Sequence, residues 1–150
     1  MCKVAPDSLP QEDSGRLREY TFRWYDEVWN ERRSGAIDHF VDSNNESHVV
    51  TFRRTGIFLK SEFKEFHRQM LVAFPDIWFT VDEVIVDGDW SAARYHIEGT
   101  HEGEVEGFPA TGRRFHVTGI SMMRWQNGRI VESWINYDQL GLLRQIGFVE

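Results

Sequence analysis

One cysteine occurs in 150 residues, so neither an intramolecular disulfide nor a cysteine-rich zinc site is available to this chain. That cysteine, Cys2, lies in a polar leader, and a reducing compartment is expected. Long apolar runs are missing as well; none approaches the roughly 20 residues of a membrane span. The start has no basic region followed by an apolar stretch, so no signal peptide is read and a cytoplasmic location is expected. Positive charge is also scarce. Lys and Arg number 17 against 24 Asp and Glu, a net charge of −7, which counts against nucleic acid or an anionic membrane as partner. The pairs Arg32–Arg33, Arg53–Arg54 and Arg113–Arg114 are scattered and read as solvated edges. No glycine-rich loop follows a strand and opens a helix, so nucleotide phosphates are not expected. Ser121 after Gly119-Ile120 lacks the second glycine and strand-to-helix turn of a nucleophile elbow.

Aromatic side chains, by contrast, are plentiful: 14% of the chain, including six Trp, enough to line a cavity inside a single ordinary domain. Residues 1–13 carry two prolines and little that packs, and are expected to form a tail ahead of a domain over 14–150. From Gly15 the pattern is helical, with Leu17, Tyr20, Thr21, Trp24 and Val28 on one face and Gly35 as the breaker. Ile37, Phe40 and Val41 predict a short second helix, and His48–Phe52 a strand. Ser61 is placed to cap a third helix whose apolar face is Phe63, Phe66, Met70, Leu71 and Phe74, stopped by Pro75.

After Pro75 the period becomes two. Ile77–Asp87, Trp90–His101, Phe115–Trp125 and Arg129–Tyr137 predict four long strands, with tight turns at Gly88 and at Asn127-Gly128. Glu102–Arg114 is a longer loop, and Gln139–Ile146 a last helix ending at Gly147. Helices first and an antiparallel meander afterwards make an α+β fold. So long a sheet must curl, and the early helices then roof a cone-shaped cavity on its concave side.

Strand parity sorts the candidates for that cavity. Arg94, His96 and Glu98 share one side; His116, Thr118, Ile120 and Met122 another; Glu132, Trp134, Asn136 and Asp138 a third. These sets mix large apolar groups with His, Arg and Asp, a mixture that suits a pocket wall. On that reasoning Asp138 and His96 are the candidate acid/base residues, with Arg94, His116, Ile120, Met122 and Trp134 around the ligand. Trp24, Tyr25 and His48 lie where helices and sheet would close the cavity. Each has a plainer reading: Asp138 at a strand–helix junction is a natural N-cap, and His96 a half-buried, satisfied histidine. The six histidines fall in different elements with no pair at ligand spacing, so no metal is expected.

The assembled segments resemble the SnoaL-like polyketide cyclase group of the nuclear-transport-factor-2-like superfamily, from about Gly15 to Gly147. The resemblance is carried by Tyr25-Asp26-Glu27-Val28-Trp29-Asn30, Ala73-Phe74-Pro75-Asp76 and Gly99-Thr100-His101-Glu102-Gly103. It continues in Gly107-Phe108-Pro109-Ala110-Thr111-Gly112-Arg113-Arg114, in Gly128-Arg129-Ile130-Val131-Glu132-Ser133-Trp134, and in Asp138. It implies a cone-shaped α+β roll, a homodimer formed through the outer sheet face, and ring closure of a hydrophobic carbonyl compound without cofactor or metal. It also implies that Asp138, after the tryptophan, is the general acid/base. The related limonene-epoxide hydrolases carry Arg-x-Asp where this chain has Arg94-x-His96, which argues against epoxide chemistry. The expectation is therefore a cyclase- or isomerase-like enzyme, or else a domain of the same fold that only binds its ligand.

Overall fold

The structure is a computed structural model, and it describes residues 13–51 and 55–150. The tail expected over 1–13 lies outside the described residues except for Asp13, which belongs to the fold. Its carboxylate accepts the Arg16 N–H at 2.9 Å and caps helix α1 (Ser14–Arg23). The chain then widens into a π-helical segment, Trp24–Asn30, which buries Trp24, Tyr25, Val28, Trp29 and Asn30 together. Wide turns of this kind are uncommon and concentrate at functional sites. Asn30 fastens the segment to the sheet: its amide donates to the Phe79 carbonyl at 2.9 Å and accepts the Phe79 N–H at 2.7 Å.

The helix breaks at Arg32, whose φ is +58°, rather than at Gly35, which sits inside α2 (Ser34–Phe40). Val41, expected to be helical, instead opens strand β1 (Val41–Val50). The Phe52 end of the expected strand lies outside the described residues. A short strand that the pattern did not reveal, β2 (Thr55–Phe58), follows. Helix α3 spans Lys60–Ala73 and buries Phe63, Phe66, His67, Met70 and Ala73. Its cap position is Leu59, whose N–H donates to the Glu62 carboxylate at 3.3 Å, so Ser61 is a first-turn residue and not the cap.

Strands β3 (Trp78–Asp87), β4 (Trp90–Thr100), β5 (Arg114–Gln126) and β6 (Arg129–Tyr137) form the expected antiparallel meander, and α4 (Gln139–Ile146) ends at Gly147. The sheet order is β2-β1-β6-β5-β4-β3. One seam departs from the antiparallel expectation, because β1 runs parallel to β6. Bulges insert Asp82 into β3 and Val131 into β6, where the pairing shifts by one residue. The second bulge breaks the parity of β6, so that Ile130 faces inward together with Ser133. Among the described residues no helix is long and apolar enough to cross a membrane.

Candidate functional site

Alternation divides the sheet into two unlike faces. The inner face carries Tyr95 and Ile97 from β4, Phe115, Val117, Ser121 and Met123 from β5, and Ser133, Ile135 and Tyr137 from β6. The π-helical segment sets Trp24, Tyr25 and Trp29 against it, and α3 adds Phe63, Phe66 and Met70. Together they enclose an apolar cavity of about 60 Å³. Ligand pockets usually hold roughly 300 Å³ or more. A ligand with several rings therefore requires the walls to part.

Apart from the indole N–H groups of Trp24 and Trp29, the polar side-chain groups of this cavity are hydroxyls and one amide. Tyr95 and Ser121 share a hydrogen bond of 2.7 Å between their hydroxyl oxygens. Burial pushes the Tyr95 hydroxyl pKa up to about 12, offset in part by that bond. Tyr25 packs on Tyr95 with ring centres 5.1 Å apart. Its hydroxyl is raised well above the usual range, first by burial and then by Tyr95. Ser121 offsets part of that rise without making a regular hydrogen bond to Tyr25. Tyr137 is raised by burial first, then by the charge of Glu106 and by Tyr95, and its buried hydroxyl has no partner among the described residues. At neutral pH all three tyrosines are therefore protonated donors. Across the cavity, Ser133 donates to Ser47 at 3.1 Å and the Asn45 amide donates to Ser47 at 2.8 Å, while the Asn45 carbonyl oxygen has no partner among the described residues.

A cross-strand row places these groups. Tyr95 pairs with Gly119, and Gly119 in turn with Tyr137. A Cβ on Gly119 would lie 2.7 Å from the Tyr95 ring and 3.0 Å from the Asn136 carbonyl oxygen, so only glycine lets Tyr95 lie over this strand.

Of the residues expected at the site, Trp24 and Tyr25 line the cavity. The parity choice for the strands is corrected: the expected set faces outward. Asp138 is exposed, and its carboxylate accepts the Gly141 N–H at 2.9 Å, capping α4. His96 lies on the outer face, 3.0 Å from the bulge residue Asp82, with its ring 5.0 Å from that of His116. Arg94 is 3.8 Å from the same Asp82 carboxylate oxygen. Ile120 and Met122 are 56% and 44% exposed. Trp134 stacks flat on His48 at 4.7 Å, also on the outer face, and His48 meets Glu132 at 3.1 Å. The physical reason is that the outer face is as rich in large side chains as the inner one, so mixed composition does not mark the cavity side. The residues the sequence reading missed are Tyr95, Ser121 and Tyr137. Their signal was the other parity, in which bulky apolar groups alternate with glycine and hydroxyl residues.

Among the described residues one group has metal-ligand character. Glu46, His48 and Glu132 bring one ligand atom each within 4.8 Å of one another. It lies on the outer face, where Glu132 also meets Arg124 at 3.5 Å, and it reads as a solvated ion-pair network. The cavity lining offers hydroxyls and an amide, a donor set that suits neither zinc nor magnesium.

Comparison with known proteins agrees with this architecture. TsrD from Streptomyces laurentii superposes with a TM-score of 0.79 at 25% identity, covering 92% of this chain and 99% of that one. IdmH from Streptomyces antibioticus gives a TM-score of 0.74 at 27% identity over 87% of this chain and 97% of that one. Aklanonic acid methyl ester cyclase DnrD from Streptomyces peucetius is 39% identical over 61 residues, 41% of this chain and 42% of that one. The matched segment thus spans about two fifths of the cyclase. The family model for SnoaL-like polyketide cyclase matches residues 19–146, nearly the whole described fold. The chain belongs to the SnoaL-like polyketide cyclase family.

Proposed function

We propose that this protein closes a ring in a hydrophobic, polyketide-type carbonyl compound by proton transfer, using its own side chains and no cofactor. The observation that carries the reading is the set of protonated hydroxyls, Tyr25 and the Tyr95–Ser121 pair, inside an otherwise apolar cavity. Removing a proton next to a carbonyl leaves negative charge on the carbonyl oxygen. Fixed donors in a water-poor cavity stabilise that charge without reorganising. In this reading the carbonyl oxygen of the substrate lies against Tyr95 and Ser121, and the apolar wall of Trp24, Trp29, Phe79 and Ile97 holds its rings.

Tyr95→Phe tests the reading. Incubated with aklanonic acid methyl ester and followed by chromatography and mass spectrometry, the wild type is expected to give the ring-closed isomer. The variant should lose about 10²–10³-fold in kcat, the usual effect of deleting one oxyanion donor. Substrate recovered unchanged from the wild type would favour the second reading, a domain that binds such a ligand without altering it. The neutral lining of the cavity is the observation on that side. We also propose that two copies associate through the outer sheet face, where Ile120 and Met122 are exposed beside Trp134 and Trp90.

A further inference from the structure

The proton-transfer reading leaves one role unfilled. The cavity lining supplies donors, but its tyrosines hold their protons too firmly to act as bases at neutral pH. The acceptor must therefore come from outside that lining. Phe66 lines the cavity and also an open polar recess of about 390 Å³, whose other walls include Thr51, Ser61, Gln69 and Glu106.

Glu106 is unlike the other carboxylates of this recess. Glu65 is paired with Arg68 at 2.6 Å, and Glu62 accepts the Leu59 N–H. One Glu106 oxygen, by contrast, is buried and has no hydrogen-bond partner among the described residues. Buried unpaired polar atoms are uncommon and call for an explanation. The backbone adds a second anomaly. Val105 and Phe108 exchange both of their backbone hydrogen bonds, at 3.1 and 2.8 Å, around a two-residue turn. Its residues Glu106 and Gly107 both have positive φ, +46° and +87°. Such turns favour Asn, Asp or Gly at the first position, so glutamate is held there against its preference.

The excursion bearing Glu106 is firmly anchored. Glu102 and Gly103 donate to the Ala73 carbonyl at 3.0 and 3.1 Å, and Phe108 stacks on Phe148 at 4.4 Å. Inside the cavity wall, Tyr137 ends the Tyr95–Gly119–Tyr137 row with a buried hydroxyl that also lacks a partner among the described residues. A carboxylate oxygen in the recess behind Phe66 and a hydroxyl in the cavity wall, close enough for the Glu106 charge to act on Tyr137, thus have unused hydrogen-bonding capacity.

We propose that Glu106 is the acid/base residue of this cavity, with Tyr137 the donor nearest to it in role. The proposal rests on the proton-transfer reading above. The Glu106 carboxylate takes the proton from the carbon beside the ligand carbonyl, and the C–H electron pair moves into the enolate. The enolate carbon then attacks a second carbonyl of the same molecule, forming the C–C bond. The resulting alkoxide recovers the proton from Glu106, so nothing is oxidised, reduced or lost.

The test uses 2-tetralone, a bicyclic ketone, as probe. Binding is read from quenching of the cavity tryptophans, and proton transfer from exchange of the hydrogens beside the carbonyl in deuterated buffer, by NMR. The wild type should bind the probe and speed exchange. Glu106→Gln should bind within about threefold of wild type and lose about 10²-fold or more of the acceleration. Glu106→Gly should lose as much while melting at a higher temperature, because glycine accepts the left-handed backbone freely. Tyr137→Phe should give an intermediate loss. Exchange by Glu106→Gln within about threefold of wild type would overturn the assignment of Glu106 and leave the proton-transfer reading standing. A wild type that fails to bind the probe, or binds it without speeding exchange, would overturn both.

Discussion

Asp138 separates a structural from a chemical role most cleanly. Its carboxylate makes one hydrogen bond, to the Gly141 N–H at 2.9 Å, at the start of a helix that buries Leu142 and Ile146. Asp138→Ala removes the cap, at a cost of about 1 kcal/mol within a range of roughly 0.5–2. For a domain of this size that lowers Tm by about 2–4 °C. Asp138→Asn keeps an acceptor in place and loses only the interaction of the charge with the helix dipole, about 0.3–1 kcal/mol. Differential scanning calorimetry should therefore rank wild type above Asn and Asn above Ala. Turnover of aklanonic acid methyl ester, or exchange of 2-tetralone, should stay within about twofold of wild type in both variants, since less than 0.5 kcal/mol of barrier is at stake. A hundredfold loss in Asp138→Asn with Tm unchanged would refute the argument and return this carboxylate to the chemistry.

Gly119→Ala should drive the Tyr95 ring off Ser121, because the new Cβ would lie 2.7 Å from it. A stability loss of about 1–3 kcal/mol, measured by urea denaturation, is expected together with a fall in kcat. Stability should also depend on pH through His67, which is fully buried against Trp29 and donates from Nε2 to the Val28 carbonyl at 2.7 Å. Burial holds its pKa below the ordinary value, so the folded ring is neutral while the unfolded one takes up a proton below about 6.5. That contribution is complete above pH 6.5 or so and is lost as the pH falls through the depressed pKa. Urea midpoints at about pH 7.5 and 5.5 should differ less in His67→Gln than in wild type, and equal differences would contradict this. Finally, sedimentation should show a dimer that Ile120→Glu with Met122→Glu dissociates, leaving the melting of the monomer cooperative.

Much of the fold was legible because its signals are local. Period-two alternation gave β3 to β6, Asn127-Gly128 gave a turn, and the spacing of Phe63, Phe66 and Met70 gave α3. The seam between β1 and β6 was not legible, since it joins the first strand to the last and nothing local encodes it. The four residues of β2 carry little pattern. The site was harder for a different reason. Parity separates two faces of a sheet but does not say which is covered, and here Trp90, Trp134, Ile120 and Met122 put large apolar groups among the charged ones of the outer face as well. The inner face gains its room from small residues, Gly119, Ser121 and Ser133, whose value lies in the space they leave for Tyr95 and a ligand. Trp24 and Tyr25 stand in the cavity wall because the π-helical segment that carries them packs its apolar side on the sheet.

The most direct test of the central claim, that the chemistry belongs to the inner face, is a crystal structure with 2-tetralone bound. The ketone is expected between Trp24, Tyr25 and Tyr95, its oxygen about 2.7–3.1 Å from a Tyr or Ser hydroxyl. A ketone seated instead on the outer face, over His96, His116 and Trp134, with the cavity unchanged and empty, would contradict it.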